Sequence, residues 1–127
     1  MVVLDTNIII DHIRSYGQSH LQILNDRYGQ KDLAISVLTI QELYRGESTL
    51  INKEEIKLTN IIAPLTILQY NYQTAKLAGE ITRDSKRLIE FADAAIAATC
   101  ILNKATLATL NIKDFNKIPG IKLEKLF

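Results

Sequence analysis

A chain of 127 residues with 47% hydrophobic and 23% charged residues is sized for one domain around a packed core, which excludes a disordered tail and a multidomain assembly. Fifteen basic residues against fourteen acidic ones leave a net charge of +1. That balance neither announces a nucleic-acid binder nor excludes one, because the distribution of charge matters more than its sum.

The single cysteine, Cys100, forms no intrachain disulfide and is expected to be a small buried hydrophobe among its apolar neighbours. Met1-Val2-Val3-Leu4-Asp5 enters an apolar run with no charged-then-apolar leader before it, and no apolar segment reaches the length of a membrane span. The expectation is a cytoplasmic protein without membrane contact.

Val2-Val3-Leu4 reads as a short buried strand that Asp5-Thr6-Asn7 stops, with Asn7 expected to cap a helix running to Asp11 or Ile13. Leu21, Leu24 and Tyr28 fall at helical spacing within 19–28, and Leu33-Ala34-Ile35 is a second buried strand. Thr39-Ile40-Gln41-Glu42 opens a helix that Gly46 closes. Helices are expected over 53–62, 71–87 and 93–102, the last rich in alanine and apolar on most faces, hence buried. Weak strands are expected over 65–68 and at Leu107-Ala108, and the alternation from Ile121 to Leu126 suggests an edge strand. Strands alternating with helices imply a layered α/β fold, a single domain over 1–127 with a central, mainly parallel sheet.

In open α/β sheets, sites form beyond the carboxyl ends of the strands. Asp5 follows the first strand, Glu42 lies in the helix after the second, Asp93 opens the buried helix and Asp114 follows the strand at Leu107-Ala108. Clustered carboxylates repel and raise one another's pKa, and a divalent cation removes that penalty. Mg²⁺ takes hard oxygen ligands and keeps several waters, so two or three carboxylates suffice, and such an ion can activate water against a phosphodiester. Each acid has a bland alternative. Asp5 could end a strand and cap a turn, and Thr39-x-x-Glu42 is also a capping box. Asp93 could only complement a helix N-terminus, and Asp114 could be an ordinary loop residue. Singly these signals are weak; the joint pattern carries the weight.

Four segments together resemble the PIN-domain ribonucleases, most closely the VapC-like toxins of toxin–antitoxin pairs. Val3-Leu4-Asp5-Thr6-Asn7 resembles the family's opening, and Ser36-Val37-Leu38-Thr39-Ile40-Gln41-Glu42-Leu43, closed by Gly46, its Ser-x-x-Thr-x-x-Glu-Leu segment. Asp93-Ala94-Ala95-Ile96-Ala97-Ala98 resembles its Asp-x-x-Ile-Ala-Ala helix start, and Thr109-Leu110-Asn111-Ile112-Lys113-Asp114-Phe115 its ending. Order and spacing match over nearly the whole chain. Leu110 departs from the arginine often found there, and no glycine precedes Asp93 in 86–91.

The resemblance implies a three-layer α/β/α fold and metal-dependent endoribonuclease activity with Mg²⁺, or Mn²⁺ in its place. It also implies a homodimer and a cognate antitoxin whose basic side chain reaches the acidic site. By resemblance and ligand chemistry, Asp5 and Asp93 are direct metal ligands, with Glu42 and Asp114 completing the catalytic set. In parts of the family the fourth acid falls at the position of Asn111. Thr6 and Asn7 would position Asp5 through hydroxyl and amide bonds, as Thr109 and Asn111 would from the facing loop, while Ser36 is expected to cap its helix. His12 and His20 are expected to face solvent, and Arg14, Arg45, Arg83 and Lys86 are candidates for a phosphate-binding rim. Tyr16, Tyr44, Tyr70 and Tyr72 are expected in core or interface packing rather than stacked on bases. Three alternatives stand beside this reading: a housekeeping RNA-processing nuclease, a phosphoryl-transfer domain with Asp5 as nucleophile, and a non-cleaving binding module. Asp5-Thr6-Asn7 lacks the lysine and second acid the phosphoryl-transfer chemistry wants, and the four filled acidic positions argue against a non-cleaving module.

Overall fold

A computed structural model describes residues 1–126. Its centre is a parallel sheet of four strands, β1 (Val2–Leu4), β2 (Leu33–Ser36), β3 (Thr66–Leu68) and β4 (Thr106–Ala108), in the order β3-β2-β1-β4. Seven helices surround it: α1 (Thr6–Arg14), α2 (His20–Tyr28), α3 (Val37–Arg45), α4 (Asn52–Ile62), α5 (Tyr72–Asp84), α6 (Phe91–Leu102) and α7 (Ile112–Phe115).

Alternation along β1 divides the core in two, because successive side chains of a strand point to opposite faces. Val2 and Leu4 join Ile8, Leu24, Ile35 and Leu58 on one face, under α1 to α4. Val3 joins Ile96, Cys100, Leu107 and Phe115 on the other, under α6 and α7. The buried alanines 94, 95, 97 and 98 leave α6 slim enough to fit between the sheet and α5. The result is the expected three-layer arrangement around a parallel sheet. Cys100 is fully buried, and burial pushes its thiol up to about 12, so it packs as an inert hydrophobe.

Several boundaries differ from the sequence reading. Asp5, not Asn7, caps α1, its carboxylate accepting from Thr6 N at 2.8 Å. Ser36 caps α3 through Leu38 N at 3.1 Å, so that helix begins at Val37 and Thr39 lies inside it. α5 stops at Asp84 rather than residue 87, where Ser85 takes an extended conformation. The short α7 had no expectation, since its four residues are too few for a helical period. The segment from Ile121 is not a strand: it pairs with β4 by a single parallel bridge, Leu107↔Leu123. The turn that returns it needs φ +86° at Gly120, which a residue without Cβ adopts freely. Neither histidine faces open solvent. His12 Nδ1 lies 2.6 Å from Ser19 Oγ and His20 Nδ1 lies 3.0 Å from Asp11 Oδ2, bonds that join α1 to α2. Tyr16 and Tyr72 are exposed rather than packed in the core.

Candidate active site

Parallel register sets Leu4 beside Ala108, so the next residues, Asp5 and Thr109, emerge together at the carboxyl edge of the sheet. The Asp5 N–H donates to Ala108 O at 2.9 Å and holds the two chains at that spacing. Asp5 is only 4% exposed, a burial that a carboxylate tolerates only with hydrogen-bond donors around it. Thr6 N donates to its Oδ1 at 2.8 Å; Thr109 Oγ1 at 2.8 Å and Asn7 Nδ2 at 3.2 Å donate to its Oδ2. Burial still wins and raises the Asp5 pKa above the ordinary value. The bonds from Thr109 and Thr6 oppose that rise, and the Glu42 charge adds to it.

The bonding of the neighbours fixes their orientations. Asn7 Oδ1 accepts from Leu110 N at 3.2 Å, which turns its amide nitrogen toward Asp5. Thr109 Oγ1 accepts from Asn111 N at 2.9 Å, so its own proton is directed to Asp5. Thr6 departs from expectation: its hydroxyl serves Glu42, donating to Oε1 at 2.6 Å, and only its backbone serves Asp5. Thr39 Oγ1 lies 3.3 Å from the Thr6 hydroxyl. Glu42 therefore does not bond back to a capping Thr39; its carboxylate is held by a residue from the neighbouring strand end. Asn111 supports Thr109 through its backbone rather than its side chain.

Asp93 is the third residue of α6, half-buried at the mouth of this edge. Its pKa is pushed up to about 6, by burial first and then by the charges of Asp5, Glu90, Asp114 and Glu42. The four expected acids thus lie within electrostatic reach of one another and line a single open cavity of about 450 Å³. Both Asn111 and Asp114 line it, but Asp114 is the one that adds charge.

Glu90 was missed by the sequence reading. It lines the same cavity from the residue preceding α6, three positions before Asp93, and that i,i+3 spacing was its only signal. Among the proposed rim cations, Arg45 lines this cavity, Arg14 lines the one next to it, Lys86 lies in a separate cavity and Arg83 is engaged by Asp84 at 2.7 Å.

Among the described residues no three His, Cys, Asp or Glu side chains close into a ready-made metal cage. The donor set still fits a hard divalent cation. Its oxygens are carboxylate, hydroxyl and amide, and the open cavity leaves room for the waters that Mg²⁺ retains. The raised Asp93 pKa reports the same fact from the protein's side: the acids repel until a positive charge joins them.

The family model described as PIN domain matches residues 2–121. The chain is 32% identical to a protein of Rickettsia felis named ribonuclease VapC2, over 96% of this chain and 95% of that one. Its fold matches a chain in the structure of DNA-bound VapBC from Salmonella typhimurium at a TM-score of 0.85 and 26% identity, covering 99% and 98% of the two chains. It also matches a chain in a toxin–antitoxin complex from Klebsiella pneumoniae at a TM-score of 0.79 and 25% identity, covering 100% and 98%. No helix among the described residues is long and apolar enough to cross a membrane.

Proposed function

The chain belongs to the PIN-domain family, and from that premise we propose that it is a divalent-metal-dependent endoribonuclease serving as the toxin of a toxin–antitoxin pair. The observation that carries this reading is the convergence of Asp5, Glu42, Asp93 and Asp114, drawn from four segments of the chain, on one open cavity. The ribonuclease name of the Rickettsia felis relative and the antitoxin-bound state of the Klebsiella pneumoniae neighbour support it.

Asp5 and Asp93 bind the metal, and Glu42 and Asp114 complete the acidic wall. A bound Mg²⁺ or Mn²⁺ supplies the positive charge that offsets carboxylate repulsion, lowers the pKa of water and neutralises charge developing on the phosphodiester. The chain's own contribution is orientation. Three donors lock both oxygens of Asp5, and the Thr6 hydroxyl locks one oxygen of Glu42, so neither carboxylate has to reorganise when substrate arrives. Arg45, the one cation lining the cavity among the described residues, meets a substrate phosphate there.

Purified protein is expected to cut RNA with Mg²⁺ or Mn²⁺ and to stop in EDTA; undiminished cleavage in excess chelator refutes the metal role. Expression of the chain alone is expected to arrest growth. The product of an adjacent gene should relieve that arrest, and Asp5→Ala should be harmless. A harmless wild-type chain that no adjacent product binds would make it a housekeeping RNA-processing nuclease instead.

A further inference from the structure

A ribonuclease site needs cations to hold the phosphates on either side of the bond it cuts, and the acidic cavity supplies one arginine against five carboxylates. The compensating charge lies next door. A second cavity of about 540 Å³ has Ile81, Ile118 and Pro119 in its floor and Lys86, Arg87 and Lys117 on its walls. Ile89 lines both cavities and is the partition between them. Packed against the core under α5 and α6, Ile89 fixes the 85–90 segment in place. Ser85 Oγ accepts from Arg87 N at 3.1 Å and donates to Arg87 O at 2.7 Å, which holds the segment in a tight turn with Lys86, Arg87 and Leu88 exposed.

The cavity also holds two acids, and both are offset. The Asp84 carboxylate is taken by Arg83 through Nε at 2.7 Å and Nη2 at 2.9 Å, and Arg83 is also in electrostatic reach of Glu80. Lys86, Arg87 and Lys117 make no ion pair among the described residues. The volume falls within the roughly 300–1,000 Å³ of small-ligand sites. An apolar floor with a cationic rim suits a nucleobase and its phosphate together. The larger groove between α2 and α4, by contrast, shares no lining residue with the acidic cavity and offers a strand no continuous path from it.

We propose that this second cavity is a nucleotide subsite of the enzyme, taking one nucleotide of the single RNA strand on one side of the cleaved bond. The base lies on the apolar floor, and the phosphate is held by Lys86, Arg87 and Lys117. The assignment rests on the ribonuclease reading above and adds to it the direction in which the strand leaves the site.

The test uses the full chain with Lys86→Ala, Arg87→Ala and Lys117→Ala combined. A control removes equal charge elsewhere: Lys31→Ala, Lys53→Ala and Lys57→Ala. RNA binding is measured against salt in both, each also carrying Asp5→Asn to prevent cutting. The first triple should lower the slope of log affinity on log salt by about 2, at roughly 0.7 per single-strand phosphate contact, and the control should lower it far less. In cleavage, the first triple should raise KM at least tenfold with kcat within twofold. That effect should vanish when the RNA is trimmed on one side of the cut, and only on that side. Equal effects of the two triples, or a KM change that survives trimming from both sides, overturns the subsite. Wild-type protein that cuts no RNA would instead refute the ribonuclease reading, and the binding slopes would still judge the subsite. Because the altered side chains are exposed, unchanged thermal melting is expected and certifies the fold.

Discussion

Replacing Asp93 with asparagine separates a metal-binding acid from an ordinary helix-start residue, because the two roles predict opposite signs of stability. In the metal-free protein the Asp93 pKa rises from the ordinary 3.8 to about 6, driven by burial and by four neighbouring acids. A difference of about two pH units corresponds to roughly 3 kcal/mol, and a half-exposed group screened by water keeps about half of that. Since the folded pKa is the higher one, this stability is fully present below pH 4 and is lost as pH rises through about 6. Asp93→Asn abolishes the loss. It also forfeits the favourable placement of a negative charge in the first turn of α6, about 0.3–1 kcal/mol. The net expectation at pH 7.5 in EDTA is a variant more stable than wild type by roughly 1 kcal/mol, a Tm higher by about 3–5 °C for a chain of this size. At pH 4 the gap should close or reverse. With Mg²⁺ present, wild type should gain Tm and the variant should not, and RNA cleavage by the variant should be lost. A variant that melts lower than wild type at pH 7.5 in EDTA and still cleaves RNA refutes the reasoning at both points.

Thr109→Val keeps the shape of a buried side chain and removes a donor to Asp5 Oδ2. It is expected to destabilise by about 1–3 kcal/mol and, because the lost bond lowers the Asp5 pKa, to shift the acid limb of the cleavage pH profile upward; an unmoved limb speaks against it. Thr6→Ser should retain activity and Thr6→Val should lose it, since the hydroxyl and not the methyl holds Glu42 at 2.6 Å; kinetics on the pair check this. Asp114→Asn should reduce cleavage more than Asn111→Ala, because Asp114 adds charge at Asp93 while Asn111 acts through its backbone; equal losses would return the fourth position to Asn111. Light scattering at micromolar concentration should give about twice the 14.3 kDa chain mass, as a homodimer requires, and a strict monomer refutes it.

What the sequence revealed about the fold follows from which signals are local. The apolar triplet at 2–4 and the apolar run at 33–35 are short, β-branched and buried on both faces, and their parallel pairing needs only the helices between them. The alanine-rich helix was legible because composition alone makes it too apolar for the surface. The failures sit at ends. Ser36 and Thr39 both fit a capping position, and only the backbone decides that the helix begins at Val37. The alternation after Ile121 resembles a strand, yet a strand also needs a matching ladder. β4 offers three residues, and the returning chain bonds only around Leu107, donating from Glu124 N at 2.7 Å and accepting at Lys122 O at 2.8 Å.

At the site, identity was legible and wiring was not. Asp5, Glu42, Asp93 and Asp114 could be named because strand ends converge in a parallel sheet and four acids near such ends form a joint pattern. The bond from Thr6 to Glu42 spans 36 positions and is set by how α1 packs beside α3, so no local rule reveals it. The same limit applies to charge. A net +1 conceals a separation in which five carboxylates line one cavity and three cations the next, with Ile89 between them. An acidic cavity alone repels a polyanion, and a basic one alone binds it without cutting. Placed side by side they divide the work, one holding the strand while the other, once its metal is bound, acts on it. The Lys86–Arg87–Lys117 group is therefore where substrate affinity and its salt dependence should reside.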